Sequence, residues 1–326
     1  MPDQSNALPD LTGYVWRHIE ATDTPAVCAL ATACAAQDGA AAARIAEYGT
    51  AMERGETGNR QPIVAQCPDG LLVALGWTAP ADGPSEYRVV LDGRVHPAHR
   101  RKGLGAALLR WSEERGRERL HALPGDRSRV LRIDSPGVTP DADALYQRHG
   151  FRLHFAEDMM ERRLDVPLPP VPLPPAVELA PWNARIVAQF YAAYTGSFRE
   201  RPGFPGWSQD EWVEWVSADE DFRPDASYVA TFREHPVGFV ATGVGSTTAS
   251  DADRSGWITQ VGTIPEWRGR GLGAALIAHV MQQFRAESLG KVALFVNANN
   301  PSASALYRRL GFETVTRRTI YHKQVE

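Results

Sequence analysis

Hydrophobic and polar positions along the chain fall into two series with the same order of elements. In the second half, "VELAPW" reads as a strand, and helical stretches follow from Arg185 and from Ser208. "SYVATFR" and "HPVGFVATGV" then read as a strand pair across a short turn. "GWITQVGTI" is a further strand, and "GLGAALIAHVMQQFRAES" repeats its apolar residues at helical spacing. "KVALFVNA" predicts a strand, "SASALYRRL" a short helix and "FETVTRRTIYHK" a closing strand. In the first half, "PIVAQC" and "LLVALGW" pair across Pro68, Asp69 and Gly70, and "YRVVLDGRV" precedes a glycine-rich turn. "GLGAALLRWSEERGRERL" is the matching helix, "RVLRIDS" the strand, "DADALYQRHG" the short helix and "FRLHFAEDMMERRL" the last strand.

The repeat has two anchors. Gly271 of "PEWRGRGLGAAL" follows Gly103 of "PAHRRKGLGAAL" by 168 positions, and Tyr307 of "ALYRRLGF" follows Tyr146 of "ALYQRHGF" by 161. Two anchors in one order indicate a duplicated domain. Between the copies, residues 165–176 read "DVPLPPVPLPPA", and such proline density forbids a helix or a central strand. The expectation is a domain at 11–164, a proline-rich linker at 165–176 and a second domain at 177–326, consistent with 326 residues.

Composition narrows the partners. A net charge of -4 lacks the basic excess of a nucleic-acid binder, so no nucleic acid is expected as a partner. No apolar run approaches the ~20 residues that span a bilayer, and "MPDQSNALPD" has neither the basic start nor the apolar core of a signal peptide. Three cysteines, Cys28, Cys34 and Cys67, form no metal-type or disulfide spacing; a cytoplasmic location without membrane contact is expected. Cys28 is expected to be a buried small hydrophobe. His96 and His99 have no partner set for a metal, and no metal is expected.

The candidate chemistry lies at the glycine turns. A strand feeding a glycine-rich turn and then a helix leaves converging backbone N–H groups at a helix N-terminus, which suits phosphate. Gly269, Gly271 and Gly273 allow close backbone approach, and Arg268 and Arg270 add positive charge. The first copy has Arg100, Arg101 and Lys102 before Gly103 and Gly105. Neither copy has the Gly-Lys-Ser/Thr of a Walker loop. A dinucleotide turn would open a βαβ unit, whereas these turns lie late in each domain.

Arg268-x-x-Gly271-x-Gly273 after a strand, with Asn300 and "ALYRRLGF" downstream, resembles the GNAT acetyltransferase superfamily, and Arg100-x-x-Gly103-x-Gly105 with "ALYQRHGF" resembles it again. The tandem arrangement is similar to that of actinobacterial two-domain members. The resemblance implies an α/β (mixed α+β) fold of two tandem domains, each a central mixed, mostly antiparallel sheet flanked by helices. It implies acetyl-CoA or another acyl-CoA as cofactor, one in each domain, and direct attack by the amine of a small molecule. The cofactor residues carried over are Val261, Gly262, Thr263, Arg268, Gly269, Arg270, Gly271, Leu272, Gly273, Ala274 and Asn300. In the first copy they are Val95, Arg100, Arg101, Lys102, Gly103, Leu104, Gly105 and Ala106. Gly262 suits the bulge at which the family's strands part, or is a packing glycine. Val261 supplies a backbone N–H to the developing oxyanion, and Tyr307 is the general acid; a phenol, ordinarily near pKa ~10, is a fitting donor to a thiolate. Tyr146 is its counterpart. Asn300 contacts the cofactor or caps its helix, and Thr139 takes its place in the first copy.

Two departures bear on mechanism. Many members carry a carboxylate on the strand before the turn, where this chain reads Ser255-Gly256-Trp257. In the first copy Asp92 is either that base or a surface charge, and the surface reading is preferred. The second copy keeps more of the pattern, so the C-terminal domain is expected to be catalytic and the N-terminal one to bind CoA with reduced catalysis. The alternatives are an active N-terminal half or a non-catalytic acyl-CoA sensor. Residues 204–222, with Trp212, Trp215 and several acids, offer a cationic-amine site or a helix whose acids face solvent, the latter preferred. The sequence specifies neither the acceptor nor the oligomeric state.

Overall fold

The computed structural model describes residues 7–38, 62–81, 86–201, 204–245 and 255–326. The chain forms two compact units, one of Met1–Ala156 with Thr316–Glu326 and one of Glu157–Val315. Unit 1 contains β1 (Val15–His18), α1 (Thr24–Asp38), β2 (Ile63–Gln66), β3 (Leu72–Pro80), β4 (Glu86–Val95), α2 (Leu104–His121), β5 (Ser128–Pro136) and α3 (Pro140–Arg148). The strand β6 (Arg152–Arg163) then carries the chain into unit 2. Unit 2 continues with β7 (Val177–Pro181), α4 (Val187–Phe198), α5 (Gln209–Ser217), β8 (Tyr228–Phe232), β9 (His235–Gly245), β10 (Ser255–Thr263), α6 (Leu272–Ala286), β11 (Lys291–Asn297) and α7 (Pro301–Arg309). Finally β12 (Glu313–Val325) returns to unit 1.

In unit 1 the strands run β1-β2-β3-β4-β5-β12, and in unit 2 they run β6-β11-β10-β9-β8-β7. Within each, one pair among the described strands is parallel, β4 with β5 and β10 with β11, one step from the centre of the order. The mixed, mostly antiparallel sheets read from the sequence are therefore present. The units differ from the halves 11–164 and 177–326 in their last strands. From Glu157 onward β6 pairs with β11, Asn297↔Glu157 to Lys291↔Arg163, and β12 pairs with β5, Arg318↔Pro136 to Val325↔Arg129. Alternation along a segment specifies a strand and its buried face; it carries no information on which sheet edge accepts it.

Each sheet is sandwiched between helices. In unit 2, Leu272, Leu276, Val280 and Phe284 of α6 are buried against one face. A Cβ on Gly256 would lie 2.3 Å from the Phe284 ring, so this strand position admits glycine alone. The other face holds Phe190, Tyr194 and Trp212 of α4 and α5 over Phe239 and Ala241. Trp212 and Val216 point inward while Glu211 caps α5 through Ser208, so the acids of 204–222 include a solvent face, as preferred. In unit 1, Leu104, Leu108 and Trp111 of α2 cover one face, and Val27, Leu30 and Cys34 of α1 cover the other. The alanine-rich α1, "TPAVCALATACAAQD", has little contrast between its faces and gave no helical period to read. Cys28, expected to be buried, is exposed on it, whereas Cys34 and Cys67 are buried.

Residues 165–176 form neither helix nor strand. The segment is no free spacer, because Leu168, Val171 and Leu173 pack on the core of unit 2. Among the described residues no helix is long and apolar enough to cross a membrane.

Candidate functional site

Both units open a fork beside their parallel strand pair. In unit 2 the pairing of β10 with β11 runs from Ser255↔Lys291 to Ile258↔Leu294, and β10 continues alone on that side to Thr263. In unit 1 the pairing of β4 with β5 runs from Glu86↔Ser128 to Leu91↔Ile133. The Ile264 N–H donates to Val237 O at 3.1 Å, so alternation turns the N–H and C=O of Val261 and Thr263 away from β9 and toward the fork. His96 N–H donates to Val73 O at 2.8 Å, which turns Gly93 and Val95 the same way in unit 1. Each fork therefore presents a strand edge with no strand beside it, which an extended ligand can join, although the Val95 and Thr263 carbonyls already accept from the turn arginines.

A bulge distinguishes the two. The register between β10 and β9 shifts between Ile258 and Gln260, which places the extra residue at Thr259. Gly262, the position suited to that bulge in the sequence, is a packing glycine instead: its Cβ would lie 2.7 Å from Ser197 Cβ and 2.8 Å from the Phe239 ring. The register of β3 with β4 is unbroken from Ala74↔Val95 to Pro80↔Val89.

The glycine turns end each fork. Gly271 (φ 81°) and Gly103 (φ 91°) are left-handed N-caps with no side-chain cap, so the first N–H groups of α6 and α2 are left to a ligand or solvent. Leu272 and Leu104 are buried and fix the helix starts in the cores, with Ala274 and Ala106 half-buried two residues on. Gly273 lies against Thr263 and Leu306, and Gly105 against Leu145, which brings α7 and α3 close to the turns. Nothing stands within 4 Å of the missing Cβ of Gly269 or Gly271.

The first arginine of each motif fastens the turn to its unit. Arg100 donates from Nη1 and Nη2 to Asp38 at 2.7 Å and from Nε to Val95 O at 3.2 Å. Arg268 donates from Nε to Thr263 O at 3.3 Å and from Nη2 to Ser197 O at 3.1 Å. Arg101 pairs with Asp141 at 2.6 Å, Arg270 lies over the Trp267 ring at 5.1 Å, and Lys102 is exposed.

The two tyrosines differ in their surroundings. Tyr307 is buried, its ring 6.0 Å from that of Phe312, and burial pushes its phenol up to about 12. Tyr146 is half-buried; burial raises its phenol, Arg94 and Ser135 oppose that rise, and Asp92 adds to it. Asn300 Oδ1 accepts from the Ala303 N–H at 3.1 Å and Thr139 Oγ1 from the Ala142 N–H at 3.3 Å, so both cap their helices.

Unit 1 holds a half-open cavity of about 370 Å³ between its fork, its glycine turn and α3. Asp92 lines it and is buried, 2.7 Å from Arg94, so the surface-charge reading of Asp92 is corrected. Its place as the first residue beyond the pairing with β5 puts it at the apex of the fork. Cys34, Asp134 and Ser135 also line the cavity, and Asp134 pairs with Arg132 at 2.5 Å. Sequence reading did not place these three at the site: Asp134 and Ser135 are only the polar end of the apolar strand "RVLRIDS", and Cys34 is one small residue of an alanine-rich helix.

Residues 187–312 match the acetyltransferase (GNAT) family, and residues 63–153 match an acetyltransferase (GNAT) domain. The mycothiol acetyltransferase of Streptomyces griseus is 31% identical over 305 residues, 91% of this chain and 90% of that protein. That of Nocardia farcinica is 29% identical over 310 residues, 94% and 95% of the two chains. Among solved structures, a GCN5-related N-acetyltransferase from Sphaerobacter thermophilus matches with a TM-score of 0.76 and 25% identity, covering 98% of this chain and 97% of that one. A tandem GNAT protein from the clavulanic acid biosynthesis pathway has the same fold, with a TM-score of 0.63 at 19% identity over 95% of this chain and 98% of that one.

Proposed function

The chain belongs to the GNAT acetyltransferase family and is an N-acetyltransferase; from that premise we propose that unit 2 transfers an acetyl or related acyl group from CoA to the amine of a small molecule, while unit 1 holds a second acyl-CoA. The residues present fit the cofactor: uncapped N–H groups and open glycine positions at Gly269 and Gly271 suit a diphosphate, and the fork-facing backbone of Val261 with the Thr263 N–H suits an extended amide chain. When bound, acetyl-CoA supplies the activated thioester. Arg268 holds the turn against Thr263 and Ser197, and the Val261 N–H points into the fork where a carbonyl oxygen gains charge. Tyr307 retains its proton to about pH 12 and can give it to a departing thiolate. The names of the relatives support a mycothiol-related amine as acceptor.

The bulge at Thr259, taken together with the buried Tyr307, is the observation that favours unit 2. A second reading, transfer in unit 1, is favoured by the half-open cavity that Asp92 lines at the apex of the fork. Steady-state acetylation by Tyr307→Phe and Tyr146→Phe decides between them. We expect Tyr307→Phe to lower kcat by about 10²-fold or more with the KM for acetyl-CoA unchanged, and Tyr146→Phe to retain kcat within about threefold. The reverse pattern assigns transfer to unit 1.

A further inference from the structure

We propose that Gln260 and Ser197 form the seat of the acceptor's amino group in unit 2, an inference that rests on unit 2 being the site of transfer. Gln260 Oε1 and Ser197 Oγ are shut off from solvent and have no hydrogen-bond partner among the described residues. Ser197 is 7% exposed, near the end of α4, and its own C=O accepts from Arg268. Native folds leave few such atoms unmade, so a pair of them beside one strand edge calls for a ligand.

The two atoms share a face of the sheet. Beyond the bulge at Thr259, Gln260 and Gly262 are two residues apart and project to the same side. That side is shown by Gly262, whose Cβ would lie 2.8 Å from Ser197 Oγ. The Ser197 hydroxyl thus occupies the place of a side chain at 262, next along the strand from the Gln260 amide. The register partner of Gln260 is Ala241, a small buried residue on the same face. Val261, whose N–H faces the fork, lies between the two positions.

The seat selects a neutral primary amine. Such an amine has two N–H donors and one lone pair; two oxygens can hold the donors and leave the lone pair free toward the fork. An ammonium ion would call for a carboxylate, and β10 has none from Ser255 to Thr263. Recognition by neutral oxygens also accounts for a family strand without its usual acid.

Gln260→Met and Ser197→Ala test this against wild type, with glucosamine, glycinamide and a mycothiol-related amine as acceptors. We expect the KM for the amine to rise about tenfold, as for one lost hydrogen bond in the complex, with the KM for acetyl-CoA unchanged. We also expect Tm to rise by about 1–3 °C, because each change removes an unmade buried hydrogen bond. An unchanged amine KM, or a fall in Tm showing that the side chains serve the fold, overturns the proposal. If the unaltered protein acetylates no amine, or if only Tyr146→Phe abolishes acetylation, the reading of unit 2 fails and takes the seat with it. An unchanged amine KM in a protein that Tyr307→Phe disables removes the seat alone.

Discussion

At the scale of single residues, the two glycine turns show how one backbone path tolerates different side chains. Gly269 adopts φ 75°, and the matching position in unit 1 is Arg101 at φ 64°, a conformation in which a Cβ is crowded. Its ion pair with Asp141 is exposed and contributes little. Arg101→Gly should therefore stabilise unit 1 by about 0.5–1 kcal/mol, the relief of strain being partly offset by the freer unfolded chain. Chemical denaturation of the variant checks the sign. The opposite change, Gly271→Ala, places a Cβ at φ 81° and should cost about 1–2 kcal/mol. It should also weaken acetyl-CoA binding by unit 2, as read by calorimetry. The phenol of Tyr307 stays protonated across the ordinary range, so kcat should show no decline from its ionisation until the pH nears about 12.

At the scale of elements, one buried carboxylate ties β12 to α2, in addition to its pairing with β5. Glu113 of α2 accepts from Lys323 of β12 at 2.6 Å, from Arg117 at 2.6 Å and from His149 Nδ1 at 2.7 Å. Burial pushes the Glu113 carboxyl up, but Lys323, His149 and Arg117 outweigh it and the net displacement is downward. Lys323 Nζ also donates to His149 O, which joins the end of α3 to the same cluster. Glu113→Gln should destabilise unit 1 by about 2–3 kcal/mol, below the range for a fully buried pair because its cations are partly exposed. Amide exchange should then quicken in β5 and residues 318–325 while β10 and β11 stay protected. Equal loss in both units would refute this local role.

At the scale of the whole molecule, sensitivity to acid should originate in unit 1. His154 and His322 stack with ring centroids 4.0 Å apart, and burial, the neighbouring histidine and Arg132 with Arg88 push His322 down to about 4. Burial lowers His154 as well, with Glu86 opposing and Arg132 and Arg88 adding to it. Between about pH 4 and 6.5 the unfolded chain binds a proton on His322 that the folded chain does not, and the lowered His154 acts in the same direction. The stability held above pH 6.5 is therefore lost as the pH falls toward 4. His322→Phe should flatten that part of the Tm profile. Native mass spectrometry with acetyl-CoA should show up to two cofactors bound; Gly103→Ala and Gly271→Ala assign each to its unit.

Repeated strand and helix periods, the 168-residue spacing of the glycine turns and the "ALY" helices were legible in the sequence because they arise from local alternation and from backbone conformations that only certain residues adopt. The fork-facing backbone of Val261 and Thr263 follows from the same regularity. Tertiary structure alone decided which sheet takes each closing strand, since edges compete for β6 and β12 on non-local terms. It also set the bulge at Thr259, made Gly262 a packing position against Ser197, and drew Asp92 from an assumed surface into a cavity. Alternation reveals which face a residue points to; what waits on that face depends on helices that arrive from elsewhere in the chain.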